Sequence, residues 1–458
     1  MKVLLVQSYL GQCDSFPVYP LGLAYIATSL NHKGHYVEIF DPNVSPHPYD
    51  DLQKRILNFS PDFIGISLRN IDNQHRVAPF YHYKYFQCTL KTIKESNPDV
   101  KVIVGGAGFS MFAQKIMERN PSIDFGIYLE GEENVPELLD NLNNPESVSG
   151  IYFRKNGKVV FSGFRPLPDF KNEPMPRRDF IDITPYLSHL ESLGIQTVRG
   201  CPLKCTYCNY PQLNGNRVRA RDAKSVCDEI EYLVKQYHIN QFMFADGVFN
   251  APLRHSEEIC EEIIKRGLKV KWSAWMELKH IPKSFLLLAM KAGCVGITFS
   301  PDGISQNALD GLRKGLKEKD IKDSFVLFTK DEDVKSLNVT YGMFINPPGE
   351  TFLGLIKTII FFIKGKLLLA GRGGTFINWI RLEPETKVFL EAIGKGEIPR
   401  NLDLLPDNQK ELKKLFYSKS PLCHLDFLII TMLKSLNIFK LLLLKLGLKK
   451  TQRLERKG

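Results

Sequence analysis

Arg199-Gly200-Cys201-Pro202-Leu203-Lys204-Cys205-Thr206-Tyr207-Cys208-Asn209 gathers three thiols into eight residues of a chain that holds nine cysteines in 458. A C-x3-C-x2-C spacing against so thin a background marks a site rather than scatter. A closed structural zinc site takes a fourth Cys or His, and no His lies between Leu190 and His238. Three thiolates suit a [4Fe-4S] cluster better, because they hold three irons and leave the fourth open to a substrate or cofactor. A zinc knot completed by a remote residue, or a chance grouping of core cysteines, is the other reading of Cys201, Cys205 and Cys208. Tyr207, between the last two thiols, fits an aromatic beside a cluster or an adenine.

Outward from this stretch, residues 191–400 alternate apolar strand patterns with helical ones. Strands are expected at Gly194–Val198, Gln241–Ala245, Lys269–Ala274, Val295–Phe299, Val339–Ile345 and Thr375–Ile380. Six strands in βα order predict a partial (β/α)6 barrel, whose chemistry gathers at the carboxyl ends of its strands. Polar residues stand at those ends: Asp246, Glu277, Ser300 and Arg381 are candidate ligands for a cofactor, or members of structural ion pairs. Glu350, in Pro347-Pro348-Gly349-Glu350-Thr351, is expected to cap the next helix. Arg217, Arg219 and Arg221 form a basic stripe suited to a phosphate or carboxylate of a ligand.

Residues 1–145 carry the same alternation, with strands expected at Lys2–Gln7, Tyr36–Asp41, Phe63–Leu68, Val100–Gly105 and Phe125–Leu129. This is the pattern of a doubly wound, Rossmann-like parallel sheet, which binds ligands outside the carboxyl ends of its strands. There lie Arg69 and Asn70, the loop Gly105-Gly106-Ala107-Gly108, and Glu130-Gly131-Glu132. Glycines opening a helix let a backbone approach a ligand closely, although glycines after strands are also plain turns. Residues 146–190 read as a proline-punctuated linker containing an Asn156-Gly157 hairpin. Residues 401–458 show no further strand alternation and read as a helical extension with a basic tail.

The cysteine stretch resembles the signature of the radical SAM enzymes. In that family the open iron chelates S-adenosyl-L-methionine, and one-electron reduction cleaves it to a 5′-deoxyadenosyl radical. Pro20-Leu21-Gly22-Leu23-Ala24-Tyr25-Ile26-Ala27, the Gly105–Gly108 loop and Glu130-Gly131-Glu132 together resemble the cobalamin-binding domain that precedes many radical SAM domains. One motif departs from the pattern: Asp-x-His-x-x-Gly, whose His ligates cobalt, is absent, and His75 in Asn73-Gln74-His75-Arg76 reads as a surface-loop residue. The resemblance implies cobalamin bound without a protein histidine, with Arg69 or Asn70 at the lower face of cobalt. The alternative for Arg69 is an ion pair with Asp72 or Asp41. It also implies that Asp246 meets the amino group of S-adenosyl-L-methionine and that Glu277, Ser300 and Arg381 meet its ribose or carboxylate. An electron donor of flavodoxin or ferredoxin type is implied as a partner. Many cobalamin-dependent members are methyltransferases acting on unactivated carbon. Cyclisation or rearrangement of a lipid or natural product is the rival chemistry, followed by modification of RNA and, last, a non-enzymatic cobalamin sensor.

Charge separates some of these. The chain carries a net +11, but from Lys434 onward eight basic residues face Glu455 alone, so +7 belongs to the tail and +4 to the first 433 residues. A nearly neutral body argues against a nucleic-acid face, so no nucleic-acid partner is expected. The six cysteines outside the triad (Cys13, Cys88, Cys227, Cys260, Cys294, Cys423) fit reduced thiols, and with no signal-peptide pattern at Met1 the expected location is cytoplasmic. Asp426–Leu448 is apolar but broken by Lys434, Lys440 and Lys445, which predicts an interfacial helix meeting an anionic membrane surface, and hence a lipid-like substrate. A helix packed on the barrel, with a solvated end, is the alternative.

Overall fold

The computed structural model describes residues 1–11, 16–279, 281–433 and 435. Its first sheet contains β1 (Lys2–Gln7), β2 (Tyr36–Phe40), β3 (Phe63–Ser67), β4 (Lys101–Gly105), β5 (Phe125–Ile127), β6 (Ile151–Lys155) and β7 (Lys158–Phe161), in the order β2-β1-β3-β4-β5-β6-β7. The first five strands are parallel. They read as continuous apolar runs because both faces are covered: Val3 and Leu5 of β1 enter one core, Leu4 and Val6 the other. The strand order reverses between β1 and β3, which opens a crevice at their carboxyl ends.

The Asn156-Gly157 hairpin expected in the linker forms instead as the outer edge of this sheet, with Phe153 opposite Phe125 and Ile151 opposite Ile127. β5 has only three residues. Antiparallel pairing of the hairpin covers an edge that would otherwise stand open.

The second sheet contains β8 (Gly194–Ile195), a small ladder of β9 (Val198–Arg199) with β10 (Arg219–Ala220), then β11 (Gln241–Phe244), β12 (Lys271–Met276), β13 (Cys294–Asp302), β14 (Asn338–Phe344) and β15 (Gly373–Asn378). Six parallel strands lie in chain order, β8-β11-β12-β13-β14-β15, as a partial barrel requires. β8 is shorter than expected, because at Thr197 the backbone leaves the sheet to bond the Asp246 carboxylate.

Beyond residue 400 the extension is not purely helical. Phe416–Tyr417 pairs antiparallel with Ile380–Arg381, and Leu404, Leu405, Leu412 and Leu415 complete a core under the first sheet. Arg119 of the first domain bonds Asp403 at 2.8 Å and the Leu405 carbonyl at 2.8 Å. The predicted interfacial helix begins at Asp426, whose carboxylate accepts from Asn346 Nδ2 at 2.8 Å and Trp379 Nε1 at 3.0 Å. Apart from residue 435, everything beyond Leu433 lies outside the described residues. Among the described residues no helix is long and apolar enough to cross a membrane.

Candidate functional site

A cavity of about 380 Å³ opens where the carboxyl ends of the two sheets meet, lined by Gln7, Ser67, Gly105 and Ile127 on one side and Gly194, Met243 and Ala245 on the other. Its wall is kept low by glycine. A Cβ on Gly65 would lie 2.7 Å from Leu5, and one on Gly131 would lie 3.1 Å from Ile26. Gly106 adopts φ +98° with its would-be Cβ 2.8 Å from the Leu68 carbonyl oxygen, so no other residue fits there without strain. Gly22 also lines the cavity and has nothing within 4 Å of a Cβ, so a side chain there would grow into the empty space.

Of the residues expected around a corrin, Gly105, Gly106, Glu130, Gly131 and Arg69 line this cavity. Gly108 lies beneath it, where its N–H donates to the Arg69 carbonyl at 2.9 Å and fastens the loop that presents Arg69. Neither proposed acid pairs with Arg69. Asp72 is held by Arg381 at 3.0 Å, and Asp41 accepts from Tyr186 and Asn43, each at 2.7 Å. Arg69 stands exposed at the cavity wall. Asn70 diverges from it into a separate crevice beside Met111, Phe112 and Glu383. His75 is exposed and accepts from the Ala78 N–H at 3.4 Å, as a surface-loop histidine does. A glycine-walled cavity with an unpaired cation and, among the described residues, no imidazole in its lining fits a flat macrocycle held without a histidine donor.

The cysteine loop leaves β9 through Gly200, which has φ +86° and a would-be Cβ 2.1 Å from the Arg217 carbonyl oxygen. Cys201 N–H donates to the Gly215 carbonyl at 3.0 Å, Thr206 N–H to that of Leu312 at 3.0 Å, and Tyr210 N–H to Cys208 Sγ at 3.4 Å. Burial pushes up the pKa of all three thiols, that of Cys208 to about 12. None of the three is in a disulfide. Among the described residues no three His, Cys, Asp or Glu side chains converge on a point that would hold a single metal ion. A four-iron cluster spreads its thiolates over the corners of a cube and deprotonates them on binding, so this loop fits it as a donor set.

Beside Tyr207 stand two residues that the sequence reading did not assign, Asp302 and Lys314. Tyr207 donates its hydroxyl to Asp302 and sets its ring edge-on to Phe344 at 4.8 Å. Lys314 Nζ lies 2.7 Å from Asp302 and 3.5 Å from the Tyr207 hydroxyl, and its charge draws down the Cys205 thiol against the effect of burial. Asp302 is the last residue of β13, and Lys314 carries no local motif.

Several expected cofactor contacts have other work. Asp246 is buried and accepts from Thr197 N–H at 2.7 Å, Thr197 Oγ1 at 2.7 Å and Val198 N–H at 3.0 Å, so it anchors the strand that leads to the cysteines. Burial raises its pKa to about 6. Arg381 spends its guanidinium on Asp72 and the Leu404 carbonyl, a bond between domains rather than a reach toward the cluster. Glu277 accepts from Lys279 N–H at 2.8 Å and shapes its own turn, while Ser300 is half-buried on β13. Glu350 accepts from Ser305 Oγ at 2.7 Å and from Thr351 N–H at 3.0 Å, but the cap of the helix Phe352–Leu368 is Thr351, whose hydroxyl oxygen accepts from Gly354 N–H at 3.0 Å. The basic stripe is largely internal: Arg221 pairs with Glu229, Arg219 with Glu130, and Arg217 is exposed. Glu130 and Glu132 both bind Arg199, at 2.8 and 2.6 Å, which ties the first domain to the cysteine loop two residues upstream of Cys201.

On β12, Trp272, Ala274 and Met276 face the core, so Trp275 faces the barrel interior, where it is 38% exposed. Phe376 of β15, 42% exposed, crosses the face of Gly342 on the same inner wall.

The glycine-walled end of the first sheet meets the first strands of the barrel at one cavity, and the three thiols stand on the loop after β9, outside the lining but two residues past Arg199, which lines it; this is the build of a two-domain α/β enzyme. The B12 binding domain model matches residues 9–139, and the Radical SAM superfamily model matches residues 195–352. The chain is similar to an uncharacterized methyltransferase of Pyrococcus horikoshii, with 28% identity over 69% of this chain and 68% of that protein. It is also 28% identical to the anaerobic magnesium-protoporphyrin IX monomethyl ester cyclase of Rubrivivax gelatinosus, over 71% of this chain and 61% of that one. Among solved structures, the radical S-adenosylmethionine methyltransferase TsrM from Kitasatospora setae, with cobalamin and a [4Fe-4S] cluster bound, superimposes with TM-score 0.74 at 22% identity, covering 86% of this chain and 78% of that one. The chain therefore carries a B12 binding domain followed by a radical SAM domain.

Proposed function

We propose that this protein transfers a methyl group, by way of cobalamin, from S-adenosyl-L-methionine to a carbon of a small-molecule substrate. The observation that carries the reading is the cavity between the glycine-walled end of the first sheet and the first strands of the barrel, whose lining includes Arg199, two residues before Cys201, because methyl transfer needs donor and acceptor close together. Cys201, Cys205 and Cys208 would hold the cluster, and Gly105, Gly106, Gly131 and Arg69 would bound the corrin. When bound, the cofactors supply electron transfer to S-adenosyl-L-methionine and a methyl group for the substrate carbon. The chain's own contribution is positional. Arg199 locks the cysteine loop to Glu130 and Glu132, so the two cofactor loops keep one spacing. Arg69 lines the cavity and offers no lone pair, so it would supply no ligand to a bound metal. Trp275 and Phe376 give the substrate an apolar wall in the barrel interior that keeps water from the reacting carbon. An external donor of flavodoxin or ferredoxin type supplies the electron.

The test is a reaction with anaerobically reconstituted protein, methyl-labelled S-adenosyl-L-methionine and a small-molecule extract of a strain lacking the gene. Labelled methyl on one extract component is the expected result. A substrate consumed without gaining label would instead establish the cyclising chemistry for which the Rubrivivax relative is named.

A further inference from the structure

The helix Phe352–Leu368 buries Leu355, Thr358, Phe361, Phe362, Gly354 and Gly365 against the barrel. The opposite face of an ordinary surface helix is polar. Here it carries Leu353, Ile356, Ile360, Ile363 and Leu367, spaced three and four residues apart, with Leu353 and Leu367 each 71% exposed. The helix has three lysines and no acidic residue. At 100° per residue, Lys357 and Lys364 fall along one margin of the stripe and Lys366 along the other. Lys357 reaches Glu318 at 2.7 Å, and Lys366 stands over the Phe362 ring at 5.6 Å. Phe427 and Leu428 are exposed at the start of the C-terminal helix, whose Asp426 is bound to Asn346, four residues before Glu350.

We propose that this face is a membrane-docking surface, seated on a bilayer of anionic phospholipid. An apolar stripe with lysines on both margins matches the acyl boundary and the phosphate layer of such a bilayer. Two other occupants would be the segment after residue 435 and a second copy of the chain. That segment carries +6. Packed on this face it would set lysine against lysine, whereas a bilayer attracts both. A second copy meeting this helix through its own would likewise oppose like charges. The proposal does not depend on the methyl-transfer reading.

The experiment is co-sedimentation of the full chain with vesicles of phosphatidylcholine, with and without phosphatidylglycerol, at low and high salt. The wild type is expected to bind phosphatidylglycerol vesicles at low salt and to release as salt rises. Ile360→Glu with Ile363→Glu removes two exposed aliphatic anchors and should weaken binding at least about tenfold, with melting temperature and cluster content unchanged. Lys364→Glu with Lys366→Glu should weaken it less and flatten the salt dependence. The proposal is overturned if the wild type stays in the supernatant, if it binds both vesicle types equally, or if the isoleucine variant binds as the wild type does, which would assign binding to the tail alone. A wild-type dimer in light scattering that becomes a monomer in the isoleucine variant would also overturn it, by giving the face to a second copy.

Discussion

The two halves of the molecule are built from the same alternation of parallel strand and helix, yet they prepare a site in opposite ways. The first sheet reverses its strand order at β1 and β3 and meets the cavity with glycine, bare backbone and one unpaired cation, Arg69. The barrel keeps chain order, and charged groups at its strand ends are already committed: Asp246 to the turn before the cysteines, Asp302 to Lys314 and Tyr207, Arg381 to Asp72. One half selects by shape and the other by thiolate donors on a loop held from behind.

If that contrast is right, the halves should fail differently. The largest effect is expected in the barrel: replacing any one of Cys201, Cys205 or Cys208 by Ala should leave anaerobically reconstituted protein without its full iron complement and unable to cleave S-adenosyl-L-methionine, while cobalamin still binds. Iron and sulfide analysis beside a cobalamin titration reads both. Cleavage surviving in all three variants would end the cluster assignment.

Next comes the charge that holds the frame together. Arg178 and Arg221 both bind Glu229, at 2.6 and 2.5 Å, and all three side chains are fully buried. Glu229→Gln leaves two buried guanidiniums without an anion and should cost about 3–5 kcal/mol of folding stability, read by denaturant unfolding. A variant as stable as the wild type would show that water or a neighbour already neutralises the pair.

A smaller effect tests the shape-selecting half. Gly22→Phe puts a ring where nothing lies within 4 Å, so the fold should be indifferent to it while cobalamin affinity falls about tenfold or more. Unchanged affinity with an unchanged melting temperature would mean that the macrocycle does not occupy this cavity.

How much of this was legible in the sequence follows from sequence distance. Strands and helices follow local periodicity, so both sheets and their order of elements could be read from apolar runs and glycine turns. The cysteine spacing is local too. Pairings across long separations were not legible. Glu130 and Glu132 looked like cofactor ligands and Arg219 like part of a ligand-binding stripe, because their complementarity with each other and with Arg199 appears only when the domains meet. The edge pairing of the Asn156-Gly157 hairpin depends on how short β5 is, and Lys314 becomes notable only when folding brings it against Asp302.

The subtlest difference lies at the seam. Glu383 is buried between the halves, accepting from Gln74 of the first domain at 3.1 Å and from Asn209 of the cysteine loop at 3.3 Å. Burial raises its pKa to about 7, against the pull of nearby Arg381. A carboxyl whose folded pKa lies above its unfolded value binds more protons folded than unfolded, so its contribution to stability is fully present below the unfolded pKa and is lost as pH rises through the folded one. For Glu383 that window runs from about pH 4.5 to about 7. Glu383→Gln, isosteric and uncharged, should therefore match the wild type at pH 4 to 5 and exceed it at pH 8 by up to about 2–3 kcal/mol. The readout is the difference between the two unfolding free energies across that range. A constant difference would mean that Glu383 is ionised throughout and that the seam between the two halves is wetter than its burial implies.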